Sequence, residues 1–227
     1  MSEAYPVIAI DGPSGSGKGT VARRVAHSLG FHWLDSGALY RLVGLAGAQA
    51  GLAPGAPQHA QVAATMAIRF GVGAKGQEQV FLADREVSEQ IRTEEVGNLA
   101  SQVASDPQVR AALTERQRAF VQSPGLVADG RDMGTVLFPG AQLKIFLTAS
   151  AEARALRRYN QLKDKGLDVN LVGLSQEIAE RDERDATRAV APLVAAADAI
   201  SIDSTTLTAE EVITRVLTLA RTHLTDR

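Results

Sequence analysis

The feature that most constrains this chain is a glycine-rich loop between an apolar run and a helical pattern. The run Val7–Ile10 is short and rich in β-branched residues, which predicts a buried parallel strand. A helical pattern covers residues 17–29. The loop consists of Gly12, Pro13, Ser14, Gly15, Ser16, Gly17, Lys18, Gly19 and Thr20. Backbone N–H groups of such a loop turn inward around phosphate oxygens, so the order strand, loop, helix predicts an α/β fold that binds phosphate; the alternative is a Gly-rich turn with a chance lysine.

The end of this loop departs from the general pattern G-x-x-x-x-G-K-[ST]. Gly19 stands where a hydroxyl usually meets Mg²⁺, and Thr20 comes one residue later. We therefore expect Mg²⁺ to be held mainly by water and phosphates. Asp129 ends an apolar strand and is placed like a carboxylate that binds one of those waters. The alternative for Asp129 is an ordinary strand-end residue in a turn.

The rest of the chain alternates between short apolar runs and helical patterns. This alternation predicts a doubly wound, mostly parallel sheet of five strands flanked by helices. Residues 60–96 differ, because alternating apolar residues on both sides of the turn 73–76 predict a small antiparallel hairpin. The other predicted strands are 31–34, 126–129, 143–148 and 199–203, and the other predicted helices are 38–50, 94–104, 107–121, 151–163, 173–186 and one that follows a capping box at 208–211.

Composition excludes several classes of protein. With 45% apolar and 22% charged residues the chain is not disordered, and a net charge of −2 gives no support for a nucleic-acid or membrane-surface protein. The absence of cysteine excludes disulfides and thiolate metal sites. No basic leader and no run of about 18 apolar residues is visible, so we expect a cytoplasmic protein that binds neither nucleic acid nor membrane.

The cations are unevenly divided, since 19 of the 24 are arginine and five are lysine. Either a GC-rich genome explains this bias, or some of the arginines hold phosphates through forked hydrogen bonds. Phosphoryl transfer to a phosphate acceptor would need arginines from several segments and no general base, because the acceptor is already ionised. The four histidines share no motif, and we interpret them as surface or packing residues.

Polar side chains follow two predicted strands at their carboxyl ends, where open α/β sheets bind ligands. Ser36 and Arg41 follow the second strand, and Arg131 and Asp132 follow the third. Farther along, four charged residues are spaced so that they share one face of a helix. They are Arg181, Arg184, Asp185 and Arg188. A salt-bridged solvent face is the alternative for this group, but the phosphate loop favours a binding role.

Several stretches together resemble the bacterial cytidylate kinases. They are Ile10–Thr20, Leu34–Arg41, Ile91–Val96, Asp129–Val136 and Arg181–Leu193. The resemblance runs in order over residues 6–220, and the loop ending Gly-Lys-Gly-Thr is typical of nucleoside monophosphate kinases. It implies a single P-loop kinase domain over residues 1–227, with a five-stranded parallel sheet flanked by helices, a small antiparallel β insert at 60–96 within a monophosphate-binding region at 37–104, and a short lid near 156–175.

The resemblance also implies roles for matching positions. Transfer of the γ-phosphoryl group of MgATP to CMP and dCMP is the expected reaction, carried out by a monomer. Lys18, Arg131 and Arg188 are the expected catalytic residues, and Arg157, on the lid with Arg154 and Arg158, would join residues 12–20 in binding ATP. The expected acceptor-binding residues are Ser36, Arg41, Ser101, Arg110, Arg131, Asp132, Arg181, Asp185 and Arg188. Of these, Ser101, Arg110 and Asp132 would face cytosine, and Arg181 and Asp185 would meet the ribose. Arg41, Arg131 and Arg188 would hold the acceptor phosphate.

Two other functions stay open on the sequence. Another small-molecule P-loop kinase, for shikimate or adenylate, would share the loop, although the hairpin insert and the pair Arg110 and Asp132 argue against it. A nucleotide switch that binds without converting its ligand would need a guanine-reading Asn-Lys-x-Asp motif, which the sequence lacks.

Overall fold

A computed structural model describes residues 5–73, 78–164, 166 and 168–225. The chain forms two compact units, the first from residues 1–35 with 118–227 and the second from residues 36–117. The strands are β1 (Val7–Asp11), β2 (His32–Asp35), β3 (Ile68–Val72), β4 (Glu78–Leu82), β5 (Arg85–Glu86), β6 (Leu126–Gly130), β7 (Leu143–Thr148) and β8 (Ile200–Asp203). The helices are α1 (Lys18–Leu29), α2 (Ser36–Gln49), α3 (Gln58–Thr65), α4 (Glu94–Val103), α5 (Pro107–Arg118), α6 (Ala151–Asp164), α7 (Leu171–Thr187) and α8 (Ala209–Thr225).

The first unit contains a five-stranded parallel sheet in the order β2-β6-β1-β7-β8. All residues of β1 and β6 are buried, as expected for strands covered on both faces. In the sheet register Ile10 lies opposite Asp129, which in turn lies opposite Asp35. The sheet therefore brings the carboxyl ends of β1, β2 and β6 to one edge, and the predicted fold class is confirmed.

Helices α1 and α8 pack on this sheet through apolar side chains that belong to one core cluster. Val25 of α1 and Val216 of α8 are fully buried, as are Ile8 of β1 and Leu147 of β7. Burial of such side chains contributes about 1.5–3 kcal/mol each to folding. This packing fixes where α1 begins, and with it the end of the glycine-rich loop.

The second unit combines α2–α5 with an antiparallel sheet of β3, β4 and β5. The predicted hairpin is confirmed, and β5 adds a short third strand. Of the predicted turn at 73–76, residues 74–76 lie outside the described residues. Helix α2 packs closely on α4, since a Cβ added at Gly44 would lie 2.9 Å from the Cβ of Leu99. Small residues at such a contact let the two helix backbones approach.

Helix α3 was not predicted, because most of its residues lie at the start of the region 60–96 that we interpreted as a hairpin insert. Its sequence has no strong apolar periodicity, and tertiary packing stabilises it instead. The ring of His59 is 2% exposed and occupies the space where a side chain on Gly47 would lie. His59 is thus a packing residue, as we interpreted it.

Capping side chains mark the starts of α5 and α8. Asp106 accepts a hydrogen bond from the N–H of Gln108 at 2.7 Å at the start of α5. Thr208 and Glu211 form the predicted reciprocal capping box before α8. In the part of the chain that the structure describes, no helix is both long and apolar enough to cross a membrane.

Candidate active site

The glycine-rich loop joins β1 to α1 in a conformation that glycine makes possible. Gly15 and Gly17 adopt φ values of 77° and 90°, in the left-handed region that L-residues rarely enter. At Gly12 an added Cβ would lie 2.0 Å from the carbonyl oxygen of Leu147. A side chain at this position would therefore collide with β7, which explains the glycine before the phosphate-binding turn.

Lys18, the first residue of α1, folds back over the loop and donates a hydrogen bond to the carbonyl of Pro13 at 3.1 Å. Burial, together with the charges of the nearby Arg131 and Arg181, lowers the pKa of its ammonium group to about 7, against the opposing charges of Asp129 and Asp35. Lys18 is therefore buried in a cluster that includes two further cations. Such an arrangement suits a highly anionic ligand.

The carboxylate of Asp129 lies at the buried end of β6, next to the start of α1. It accepts a hydrogen bond from the indole N–H of Trp33 at 2.8 Å. A Cβ added at Gly19 would lie 4.0 Å from both carboxylate oxygens, so Asp129 is close to the position where this loop lacks a hydroxyl. Mg²⁺ prefers hard oxygen donors, and the carboxylate of Asp129 fits that preference.

Arg131 follows β6 and reaches helix α7. Its Nε donates to a carboxylate oxygen of Asp185 at 2.7 Å, and both side chains are largely buried. Burial raises the pKa of Asp185, but the charges of Arg131, Arg181 and Arg188, with the hydrogen bond from Arg131, outweigh it and lower the pKa below its usual value. The structure thus brings three of the predicted acceptor arginines together around the carboxylate of a fourth predicted acceptor residue, Asp185.

Asp132 and Arg188 form a second pair beside this group. A guanidinium nitrogen of Arg188 lies 3.8 Å from a carboxylate oxygen of Asp132, and both side chains are at most 5% exposed. Arg188 also donates from Nε to the carbonyl of Ala191 just after α7. Both residues are held in place by the protein, which is useful for groups that must recognise a ligand by geometry.

Asp11, the last residue of β1, holds the segment that starts at Asp132. Its two carboxylate oxygens accept hydrogen bonds of 2.8 Å from the backbone N–H groups of Met133 and Gly134, at the first turn of a short π-helix over Met133–Leu137. Asp11 was not among the predicted site residues. Its signal was a carboxylate at the end of an apolar strand directly before the loop, the same signal that identified Asp129.

The pKa of Asp11 predicts a pH dependence of stability. Burial raises it from 3.8 to about 6, against the two hydrogen bonds and the charge of Lys18 and with the help of Asp132. Because the native state keeps this proton to a higher pH than the unfolded chain does, the free energy of unfolding falls as pH rises from about 4 to about 7. The loss is about 3 kcal/mol relative to a variant without this titration.

Urea unfolding of the wild-type protein and of Asp11→Asn at both pH values measures this loss. Between the lower and the higher pH, the free energy of unfolding of the wild type should fall by about 3 kcal/mol relative to that of Asp11→Asn. A difference that does not change with pH would show that Asp11 is ionised throughout.

Two of the arginines that we expected on a lid lie in α6 and contact the rest of the first unit. Arg157 donates through its guanidinium to the hydroxyl and the carbonyl of Ser204, and that hydroxyl donates to the carbonyl of Ser16 in the loop at 3.2 Å. Arg154 donates to the carbonyl of Ser14 at 3.0 Å. Both arginines therefore connect α6 to the phosphate loop, a role that sequence analysis did not predict.

The second unit holds the remaining predicted acceptor residues. Ser36 starts α2 and donates to Gln117 at 2.6 Å, and Arg41 donates to the carbonyl of Ile91 at 2.5 Å. Ser101 on α4 is buried, and Arg110 on α5 is buried with its guanidinium carbon 5.7 Å from the centre of the Tyr40 ring. Each of these four side chains is thus at least partly buried and in contact with its own unit.

Comparison with known proteins identifies the family of this chain. The family model for cytidylate kinase matches residues 8–222. A cytidylate kinase of Colwellia psychrerythraea is 56% identical over 99% of this chain and 100% of its own length, and one of Stutzerimonas stutzeri is 58% identical over 96% of each chain. A solved gluconokinase of Sinorhizobium meliloti aligns with a TM-score of 0.48 at 15% identity, over 99% of this chain and 96% of its own. By its sequence and its family match, the chain belongs to the cytidylate kinase family.

Proposed function

We infer that this protein transfers the γ-phosphoryl group of ATP to CMP, and also to dCMP, which gives ADP and the diphosphate. The observation that carries this conclusion is the placement of Lys18 of the phosphate loop beside Arg131 and Arg181 in a family of cytidylate kinases. Three cations close together suit two nucleotide phosphates that must approach each other.

On the donor side, the N–H groups of residues 12–17 would surround the β-phosphate and Lys18 would contact the β- and γ-phosphates. Asp129 would hold Mg²⁺ through a water molecule, because Gly19 offers no hydroxyl. The ion would neutralise charge between the β- and γ-phosphates. Arg157 would contact ATP from α6.

On the acceptor side, an oxygen of the CMP phosphate attacks the γ-phosphorus, and the bond to the β–γ bridging oxygen breaks, so that ADP leaves with the bonding electrons. That oxygen is already ionised, so no general base is needed. Arg41, Arg131 and Arg188 would hold the acceptor phosphate. Arg181 and Asp185 would meet the ribose, whose hydroxyls can donate to a carboxylate.

Cytosine recognition would depend on Asp132, Arg110 and Ser101. Cytosine presents an amine donor beside N3 and O2 acceptors, so a carboxylate and a guanidinium complement it. Uracil presents an acceptor in place of the amine, opposite the carboxylate, and such a site rejects it strongly.

Two regions of the chain have proposed roles in binding the nucleotides. Residues 37–104 would bind the monophosphate and residues about 156–175 would act as the lid over ATP. We also propose that the protein works as a cytoplasmic monomer that has no nucleic-acid or membrane partner.

A coupled assay for ADP release over a panel of acceptors tests the function. CMP and dCMP should give turnover at least about a hundredfold faster than UMP, AMP or shikimate. ATP alone measures the background hydrolysis. Turnover with shikimate or AMP in place of CMP would favour another P-loop kinase, and slow hydrolysis with no acceptor turnover would favour a nucleotide switch.

A further inference from the structure

Arg154 connects the phosphate loop to helix α7 through a buried set of hydrogen bonds. Its side chain is 6% exposed. Nε donates to the carbonyl of Ala149 at 3.0 Å, and Nη1 donates to the carbonyl of Ser14 in the loop at 3.0 Å. Helix α6 also touches the loop directly, because a Cβ added at Gly15 would lie 3.0 Å from the Cβ of Arg154. A movement of the loop backbone therefore moves a partner of Arg154.

The same guanidinium forms two parallel hydrogen bonds with the carboxylate of Asp182. Nη1 and Nη2 donate to the two carboxylate oxygens at 3.1 Å and 2.5 Å. This fork geometry fixes direction as well as distance, which a lysine could not do. Helix α7 is thus held against the loop by one bidentate ion pair.

Asp182 lies in the turn of α7 that carries the proposed acceptor residues. It follows Arg181 directly, and Asp185 comes three residues later, on the same side of the helix. Asp185 pairs with Arg131 at the end of β6. Two successive turns of α7 are therefore tied to the two elements that the reaction needs, the first to the donor loop and the second to the acceptor arginine.

We propose that Arg154 and Asp182 are positioning residues that couple the binding of the donor nucleotide to the binding of the nucleoside monophosphate. This inference rests on the proposed roles of Arg181 and Asp185 as acceptor ligands. A donor that orders the loop carbonyl of Ser14 fixes Arg154 and, through Asp182, the register of α7. By thermodynamic linkage, each nucleotide then tightens the binding of the other by the same factor.

Calorimetric titration of CMP with and without a non-hydrolysable ATP analogue tests the coupling. The analogue should tighten CMP binding to the wild-type protein by at least about fivefold, and by less than about twofold in Asp182→Asn and Arg154→Lys. Glu183→Gln is the matched control, since it removes the same charge from an exposed neighbour on α7 and should keep the full factor. Asp182→Glu keeps the carboxylate and should restore most of the factor.

If the ion pair of Arg154 and Asp182 were only structural, its loss would lower Tm and leave the coupling factor between the analogue and CMP unchanged. An unchanged factor in folded Asp182→Asn, or a wild-type protein in which the analogue does not affect CMP binding, would overturn the proposal. Asp185→Asn separates it from the proposed function. If Asp185→Asn binds CMP normally without the analogue, the acceptor assignment fails. If Asp185→Asn binds CMP weakly but Asp182→Asn keeps the full coupling factor, the acceptor assignment stands and only the coupling proposal is refuted.

Discussion

Replacement of Lys18 by alanine should lower kcat by about a thousandfold or more while the protein stays folded. In the proposed reaction the ammonium group would contact the transferring phosphates, where negative charge is greatest in the transition state. Its loss should not reduce stability, because burial and the charges of Arg131 and Arg181 already lower its pKa to about 7 in the free protein. We expect an unchanged or slightly higher Tm.

Arg23→Ala is the matched control for Lys18→Ala. It removes a cation from an exposed position of the same helix, so its kcat should stay within about twofold of wild type, as for most surface substitutions. Steady-state kinetics with CMP and thermal unfolding of all three proteins provide the measurement. A Lys18→Ala enzyme with normal kcat would remove the phosphate-loop assignment.

Replacement of Asp132 by alanine should reduce the preference for CMP over UMP by about a hundredfold and leave the KM for ATP within about twofold. The buried carboxylate is the proposed partner of the cytosine amine, so its loss removes the attraction to CMP and the repulsion of the uracil carbonyl together. Arg188 loses its neighbour at 3.8 Å, and a fall in kcat with both pyrimidines is therefore also expected.

Asp132→Asn separates these two effects, because the amide keeps the side-chain volume and loses the charge. Ratios of kcat/KM for CMP and UMP, measured at saturating ATP, decide the outcome. If the ratio is unchanged in both variants, Asp132 does not read the base, whatever happens to kcat.

Much of the fold was predictable because its signals are local. The strand Val7–Asp11, the loop and the helix that follows are consecutive in the chain, so apolar pattern and glycine spacing describe them without tertiary information. The caps at Asp106 and Thr208 have the same property. Helix α3 was missed, since its own residues have little helical pattern and the packing of His59 into the space at Gly47 stabilises it.

The candidate site was predictable in part. Sequence motifs identified Lys18, Arg131 and Asp185 as polar residues at expected places. They did not identify Asp11 and Arg154 as residues that hold backbone elements of the site, because their partners are distant in the chain. Asp11 binds backbone 122 and 123 residues away, and Arg154 binds the loop 140 residues away.

The sequence by itself determined the parallel α/β architecture, the glycine-rich loop and the types and spacing of the residues that we propose as an acceptor site. Those properties depend on periodicity, glycine conformational freedom and charge type, which act between near neighbours. Only the tertiary structure decided which charges meet: that Arg131 pairs with Asp185, Arg188 lies by Asp132, and Arg154 joins Asp182 to the loop. These pairings depend on where α6 and α7 pack within the first unit. An ion pair forms only where the packing of whole elements brings two side chains within about 4 Å of each other.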